Sequence, residues 1–311
     1  MLAVVFPGQG SQEVGMGMDF VRCYPEARAV FDEADEAIQL PLSTWIAEGR
    51  SEDLQRTEIA QPAILATSLA IYRVVEPRLP SAPAYVAGHS LGEYSALVAA
   101  GALALADAVS LVRRRGAWMQ EAVPEGEGGM AAVLGLPGDQ VARICAGIEG
   151  SVCPANFNSP VQTVVAGERA ALDAACAALE AAGATKLVPL PVSAPFHSPL
   201  MQPAMEKITP ALSEIFFENT KIPVISNVTA KPYSSPEDAR RLLREQVCAP
   251  VRWVDCVQTL VGRGVRAQLE VGPGKVLSGL ARRIDRCLTV ANIEKPEDMD
   301  AALVRMTEAL V

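Results

Sequence analysis

Short apolar runs of strand length alternate with longer segments of helical periodicity along most of this chain, and that order predicts an α/β fold. LAVVF (Leu2–Phe6) reads as a first strand, and AYVAG (Ala84–Gly88) as the strand that feeds the turn GHSLG. PAILATSLAIYRVVEPRL lies between them, helical in pattern and stopped at Pro80. IPVISN (Ile222–Asn227) and AQLEVG (Ala267–Gly272) read as further buried strands. In LALADAVSLVRRRGAWMQEAV the positions Leu105, Ala108, Val112, Arg115, Met119 and Ala122 recur at three-and-four spacing, one face of a helix. Arg115 therefore falls on an apolar stripe.

The middle of the chain has its own rhythm. After the glycine-rich PEGEGG (Pro124–Gly129), the segments MAAVLGL, DQVARICAGI, VCPANFN, TVVAG, RAALDAACAALEAAG and TKLVPLPVS follow in turn. Their order is strand, helix, strand, strand, helix, strand, the βαββαβ pattern of a ferredoxin-like unit. Residues 126–193 are expected to form a small subdomain inserted into a large, discontinuous domain of residues 1–125 and 194–311. Clefts between two such units favour ligands.

With 311 residues, half of them apolar and a fifth charged, the chain is expected to be globular, as one large domain or two unequal ones. MLAVVFPGQGS carries no basic segment or cleavage site, and the longest apolar stretch, Ala96–Ala106, is about half a membrane span. A soluble, cytoplasmic protein with no membrane partner is expected. Seven cysteines without a C-x-x-C pair suggest reduced thiols. Only two histidines, His89 and His197, argue against a histidine-rich metal centre, and a net charge of −9 argues against nucleic acid. No metal or cofactor is expected.

Gly88, Ser90 and Gly92 meet the pattern G-x-S-x-G, with an apolar strand before it and the helical EYSALVAAGAL after it. A sharp strand-to-helix turn forces its central serine into a strained backbone, and the flanking glycines relieve crowding. The alternative, Ser90 as an ordinary helix cap, needs neither glycine. A serine nucleophile needs a base. His89 is next to Ser90 in sequence and is expected to point to the opposite face, which leaves His197 in VSAPFHSPLM. Leu91 would supply one backbone N–H of an oxyanion hole, and the loop FPGQGSQ a second. That loop is not a dinucleotide fingerprint, because Glu13 stands where G-x-G-x-x-G needs glycine. For Arg115, snorkelling or a structural ion pair stands beside a functional reading, a fork that grips a substrate carboxylate.

Taken together, GHSLGEYSAL, FPGQGSQ, RRGAWMQ, PFHS and VGPGKVL resemble the malonyl-CoA:acyl-carrier-protein transacylases, and the likeness runs over essentially the whole chain. The resemblance implies an α/β-hydrolase-like core carrying the ferredoxin-like insert. It implies that Ser90 carries the acyl group, His197 is the general base, and the amides of Gln9 and Leu91 form the oxyanion hole. Arg115 would bind the malonyl carboxylate, and a backbone carbonyl at Arg252, in APVRWV, would orient the histidine in place of an acidic third member. Gln61 and Asn158 match recurrent cleft positions of the family. Phe196, just before the base, implies a preference for malonyl over α-branched units, since an aromatic ring leaves little room for a methyl group.

Malonyl-CoA and an acyl carrier protein are the implied partners, and a monomer is expected. Lys275, Arg282 and Arg283, after VGPG, are candidates for a cationic patch facing an acidic carrier. Three rival readings remain: an acyltransferase serving a polyketide assembly line, a serine thioesterase or esterase, and a catalytically dead carrier-binding scaffold. A hydrolase would normally supply an acidic third member and has no use for Arg115; a dead scaffold has no use for the dyad.

Overall fold

The computed structural model describes residues 1–192 and 194–311. Among the described residues, ten strands alternate with helices: β1 (Leu2–Phe6), β2 (Tyr85–Gly88), β3 (Gly128–Leu134), β4 (Val152–Ser159), β5 (Gln162–Glu168), β6 (Lys186–Pro189), β7 (Val224–Ile225), β8 (Pro232–Tyr233), β9 (Ala267–Val271) and β10 (Thr289–Ile293). They form two sheets. The six-stranded sheet has the order β10-β9-β1-β2-β7-β8 and is parallel except for the edge strand β8.

All five residues of LAVVF are buried, as a central parallel strand requires. Their side chains alternate between two cores. Leu2, Val4 and Phe6 join the cluster beneath the helices Thr57–Val75 and Leu105–Glu121. Ala3 and Val5 face the other side, with Val257 and Leu280 of the helices Trp253–Gly262 and Val276–Ile284. Phe6 pairs with Gly88, so the loops after β1 and β2 leave the same edge of the sheet side by side.

Two elements differ from the sequence reading. The helix containing PAILATS begins at Thr57 and takes Pro62 into its interior. Burial of nearly all its side chains outweighs the lost hydrogen bond. IPVISN contributes only Val224–Ile225 to the sheet, because the chain turns back at Ser226, with Ser226 N–H donating to Lys231 O and Ala230 at φ 53°.

The second sheet is wholly antiparallel, in the order β4-β5-β3-β6. The helices Gly138–Ala146 and Arg169–Ala181 cover one face, where Val133 and Val165 meet Val141, Leu172 and Leu179. The opposite face, with Met130, Ala132 and Val164, belongs to the main core. Backbone bonds tie this sheet to the segment that leads into the helix Trp253–Gly262: Val251 N–H donates to Ala155 O at 2.8 Å, and Phe157 N–H to Val251 O at 2.9 Å. Among the described residues, no helix is long and apolar enough to cross a membrane.

Candidate active site

A cavity of about 330 Å³ opens where the carboxyl ends of the parallel strands meet the small sheet, the usual place for ligands on such sheets. Ser90 stands at its floor, on the turn between β2 and the helix Gly92–Ala99. The turn is tight. A methyl group on Gly88 would lie 1.9 Å from the Gly92 carbonyl carbon, and one on Gly92 2.1 Å from Phe6 O. Ser90 itself takes φ 51°, and His197 takes φ 59°, a conformation that costs a non-glycine residue about 1–3 kcal/mol. Asn227 holds the turn in place: its Oδ1 accepts from Ser90 N–H at 2.6 Å, and its Nδ2 donates to Gly88 O at 2.7 Å.

His197 Nε2 lies 2.7 Å from Ser90 Oγ. Its Nδ1 lies 2.8 Å from the carbonyl oxygen of Gln246. A carbonyl only accepts, so the ring proton sits on Nδ1, and Nε2 presents a lone pair to the serine hydroxyl. Burial, with the Arg115 guanidinium beside it, pulls the imidazole down to a pKa of about 3. The ring is therefore neutral at physiological pH.

The orienting carbonyl is a correction to the sequence reading, which placed it at Arg252. Gln246 ends the helix Pro236–Gln246, where the last carbonyls have no helical partner and remain available. Arg252 O is engaged in starting the next helix, accepting from Cys256 N–H at 2.9 Å, while its guanidinium pairs with Asp255.

Arg115 is 1% exposed and reaches the Ser90 hydroxyl. Its guanidinium donates to Ser90 Oγ at 3.1 Å, to Gln61 Oε1 at 2.8 Å and to Gln246 Oε1 at 2.9 Å, and it lies over the Tyr94 ring at 5.2 Å. Among the described residues no carboxylate pairs with it, and its Nε has no acceptor. A buried cation met only by neutral acceptors is costly to maintain and suited to receiving an anion. Snorkelling is excluded by its burial. The rest of the stripe behaves as expected: Leu105, Ala108, Val112 and Met119 are buried, while Ala122 lies just beyond the helix.

Gln9, Gln61, Phe196 and His89 also line the cavity. The Gln9 loop runs directly against the serine turn; a methyl on Gly8 would lie 2.4 Å from His89 O. Among the described residues, the N–H groups of Gln9 and Leu91 have no hydrogen-bond acceptor. Asn158 requires a second correction. It does not line the cavity; its Oδ1 lies 2.8 Å from His89 Nε2, and Asn156 lines the cavity instead. His89 is thereby turned away from the serine hydroxyl. Lys275, Arg282 and Arg283 are exposed and outside the cavity, with Arg283 reaching Gln162 Oε1 on the small sheet at 3.4 Å.

Three residues of the site escaped the sequence reading: Asn227, Gln246 and Glu93. Glu93 is fully buried beneath Ser90. Its carboxylate accepts from Asn227 N–H at 3.0 Å, Gln246 Nε2 at 2.8 Å and Tyr233 Oη at 3.0 Å. Burial raises it to a pKa of about 7 against the pull of those three donors. Its signal resembles that of Arg115, a charge inside the otherwise apolar EYSALVAA; Asn227 and Gln246 carry no comparable signal.

Comparison with known proteins agrees over nearly the whole chain. A family model described as an acyl transferase domain matches residues 3–295. A malonyl CoA-acyl carrier protein transacylase of Escherichia coli K12 is 47% identical, with 97% of this chain and 98% of that protein covered. The protein of the same name from Bacillus subtilis is 43% identical, with 99% and 98% covered. Among solved structures, a malonyl CoA-acyl carrier protein transacylase from Coxiella burnetii superposes with a TM-score of 0.96 at 40% identity, covering 98% of each chain. A malonyl-transacylase in complex with its type II PKS acyl-carrier protein superposes at 0.95 with 43% identity, covering 97% of this chain and 99% of that one.

Proposed function

This chain belongs to the acyl transferase domain family, and on that premise we propose that it moves a malonyl group from malonyl-CoA to the phosphopantetheine thiol of an acyl carrier protein through an ester on Ser90. The observation that carries the reading is the meeting of two groups, His197 and Arg115, at the Ser90 oxygen. Ser90 Oγ has His197 Nε2 at 2.7 Å to take its proton and an unpaired, buried guanidinium at 3.1 Å to hold the far carboxylate of the acyl group.

Ser90 Oγ attacks the thioester carbonyl while His197 Nε2 accepts its proton, and the developing imidazolium is held through Nδ1–H by Gln246 O. The amides of Gln9 and Leu91 receive the negative charge on the carbonyl oxygen. Collapse of the tetrahedral adduct breaks the C–S bond and releases CoA, the imidazolium returning its proton to the leaving thiolate. The carrier thiol then enters, gives its proton to His197, and displaces the serine by the same path in reverse. A thiolate leaves more readily than an amine, so a dyad oriented by a main-chain carbonyl suffices without an acidic third member. No cofactor takes part in this scheme.

The strand order β4-β5-β3-β6 supports a ferredoxin-like subdomain over residues 126–193, set into an α/β-hydrolase-like domain of residues 1–125 and 194–311. Phe196, 8% exposed in the cavity wall, would exclude an α-methyl branch. Lys275, Arg282 and Arg283 would receive the acidic carrier beside the cleft. The cytoplasm is the expected compartment.

The test is intact-protein mass spectrometry after mixing with malonyl-CoA. A malonyl adduct is expected on the unmodified chain, absent from Ser90→Ala, and discharged onto an added phosphopantetheinylated carrier. Persistence of the adduct in Ser90→Ala refutes the nucleophile. Equal release of free malonate with and without carrier would favour a hydrolase.

A further inference from the structure

Glu93 is a buried acid to which that mechanism gives no task. Glu93 touches no reacting atom, yet its carboxylate lies between the serine turn and the residue that braces both His197 and Arg115. We propose that Glu93 is a positioning residue for acyl-group selection: by fixing which way the Gln246 side-chain amide points, it presents an acceptor to Arg115 and sets the fork that receives the malonyl carboxylate.

The geometry is a three-part relay. Gln246 Nε2 donates to Glu93 Oε2 at 2.8 Å and to Ser90 O at 3.1 Å. Its Oε1 is thereby turned the other way, where it accepts from Arg115 at 2.9 Å. An ionised carboxylate has only lone pairs to offer. The other two bonds to Glu93, from Asn227 N–H and Tyr233 Oη, also run toward it, so all three neighbours act as donors to an acceptor. Reversing the Gln246 amide would set its oxygen against Glu93 and Ser90 O, and its NH₂ against a guanidinium.

That reversal is strongly opposed while Glu93 carries only lone pairs. It becomes accessible when Glu93 can donate, either as a protonated acid or as an amide. Arg115 then loses one of its two side-chain amide acceptors; Gln61 is the other. An arginine braced on one side only no longer presents a fixed fork, and acyl groups that rely on it suffer more than those that do not. Main-chain support of His197 by Gln246 O is left in place, so the chemistry of the dyad persists.

The inference rests on Arg115 receiving the malonyl carboxylate, and the experiment separates the two claims. Acylation of Ser90 is followed by rapid quench and intact mass with malonyl-CoA and with acetyl-CoA, and the ratio of the two rates is read. In Arg115→Ala that ratio is expected to collapse; if it does not, the assignment of Arg115 itself fails. In Glu93→Gln the ratio is expected to fall about tenfold, about the worth of one charge-assisted hydrogen bond. A collapse in Arg115→Ala beside an unchanged ratio in Glu93→Gln, both rates falling together, overturns the relay alone.

Acidity gives a second readout that does not depend on Glu93→Gln folding. The groups facing Glu93 are Arg115 from the Leu105–Glu121 helix, Tyr233 from β8, Cys256 from the Trp253–Gly262 helix and Tyr94 on its own helix. Tyr94 is raised to about 12, Tyr233 and Cys256 are raised well above their ordinary values, and burial lowers Arg115 from the ordinary guanidinium value. Glu93 alone of this set is placed near 7. The malonyl-to-acetyl ratio of the unmodified chain is therefore expected to fall as pH is lowered from about 8 to 6. Tyr233→Phe removes a donor to the ionised form, so the midpoint of that fall is expected to move to higher pH. A ratio independent of pH, or a midpoint that Tyr233→Phe leaves in place, overturns the proposal.

Discussion

Replacing Arg115 with alanine tests its proposed role in holding the acyl carboxylate apart from everything else the site does. In the free protein the guanidinium is nearly inaccessible, with three neutral acceptors, no partner carboxylate among the described residues, and an Nε that meets nothing. A carboxylate arriving beside Ser90 would take two parallel N–H···O⁻ bonds. Each such bond contributes about 1.5–3 kcal/mol, so together they account for about 3–6 kcal/mol, or about 10²–10⁴ in kcat/KM for malonyl-CoA.

Acetyl-CoA offers no carboxylate. Its loading in Arg115→Ala should fall only by what the 3.1 Å contact with Ser90 Oγ contributes to the developing charge, one interaction rather than two. Folding should be little affected. Truncation frees the acceptors of Gln61 and Gln246, but it also removes a cation whose burial is costly and which no carboxylate contacts directly, and these oppose one another. The melting temperature is expected to stay within about 4 °C of the unmodified chain. Single-turnover loading with each acyl-CoA, beside a melting curve, makes the measurement. Equal losses with both substrates, or a melting temperature that drops by tens of degrees, would show that Arg115 is a structural residue and refute the reasoning.

Burial holds the His197 pKa near 3, below its unperturbed value of 6.5, so the base is neutral and competent throughout the range above about 4. Acetyl loading should therefore stay level between pH 5 and 8; a fall centred near 6.5 would show that the imidazole titrates normally. Gly92→Ala drives a methyl group to within 2.1 Å of Phe6 O on the central strand. A loss of about 1–3 kcal/mol or more is expected from such overpacking, together with loss of the acyl adduct; a variant of unchanged melting temperature and activity would contradict the turn geometry. Reversing Lys275, Arg282 and Arg283 to glutamate should raise the apparent KM for an acidic carrier at low salt while leaving loading from malonyl-CoA intact. An unchanged KM would remove these residues from the docking face.

The amino-acid sequence by itself determined what depends on local pattern. LAVVF could only be a buried strand, because five consecutive apolar residues have no polar face to show to water. G-x-S-x-G between a strand and a helix marked Ser90, because glycines at those two places answer a steric demand of the turn itself. Arg115 stood out because a charge interrupts an apolar helical stripe. The scarcity of histidine left His197 as the candidate base.

Only the tertiary structure decided which carbonyl orients that base, which asparagine faces the cavity, and what Glu93 touches. Asn227 meets Ser90 across 137 positions of chain, and Gln246 meets it across 156. The carbonyl of Gln246 is available because a helix ends there, and Arg252 O is occupied because another begins. Such contacts depend on where elements come to rest against one another, and polar side chains of ordinary type carry no mark of that in the residues beside them.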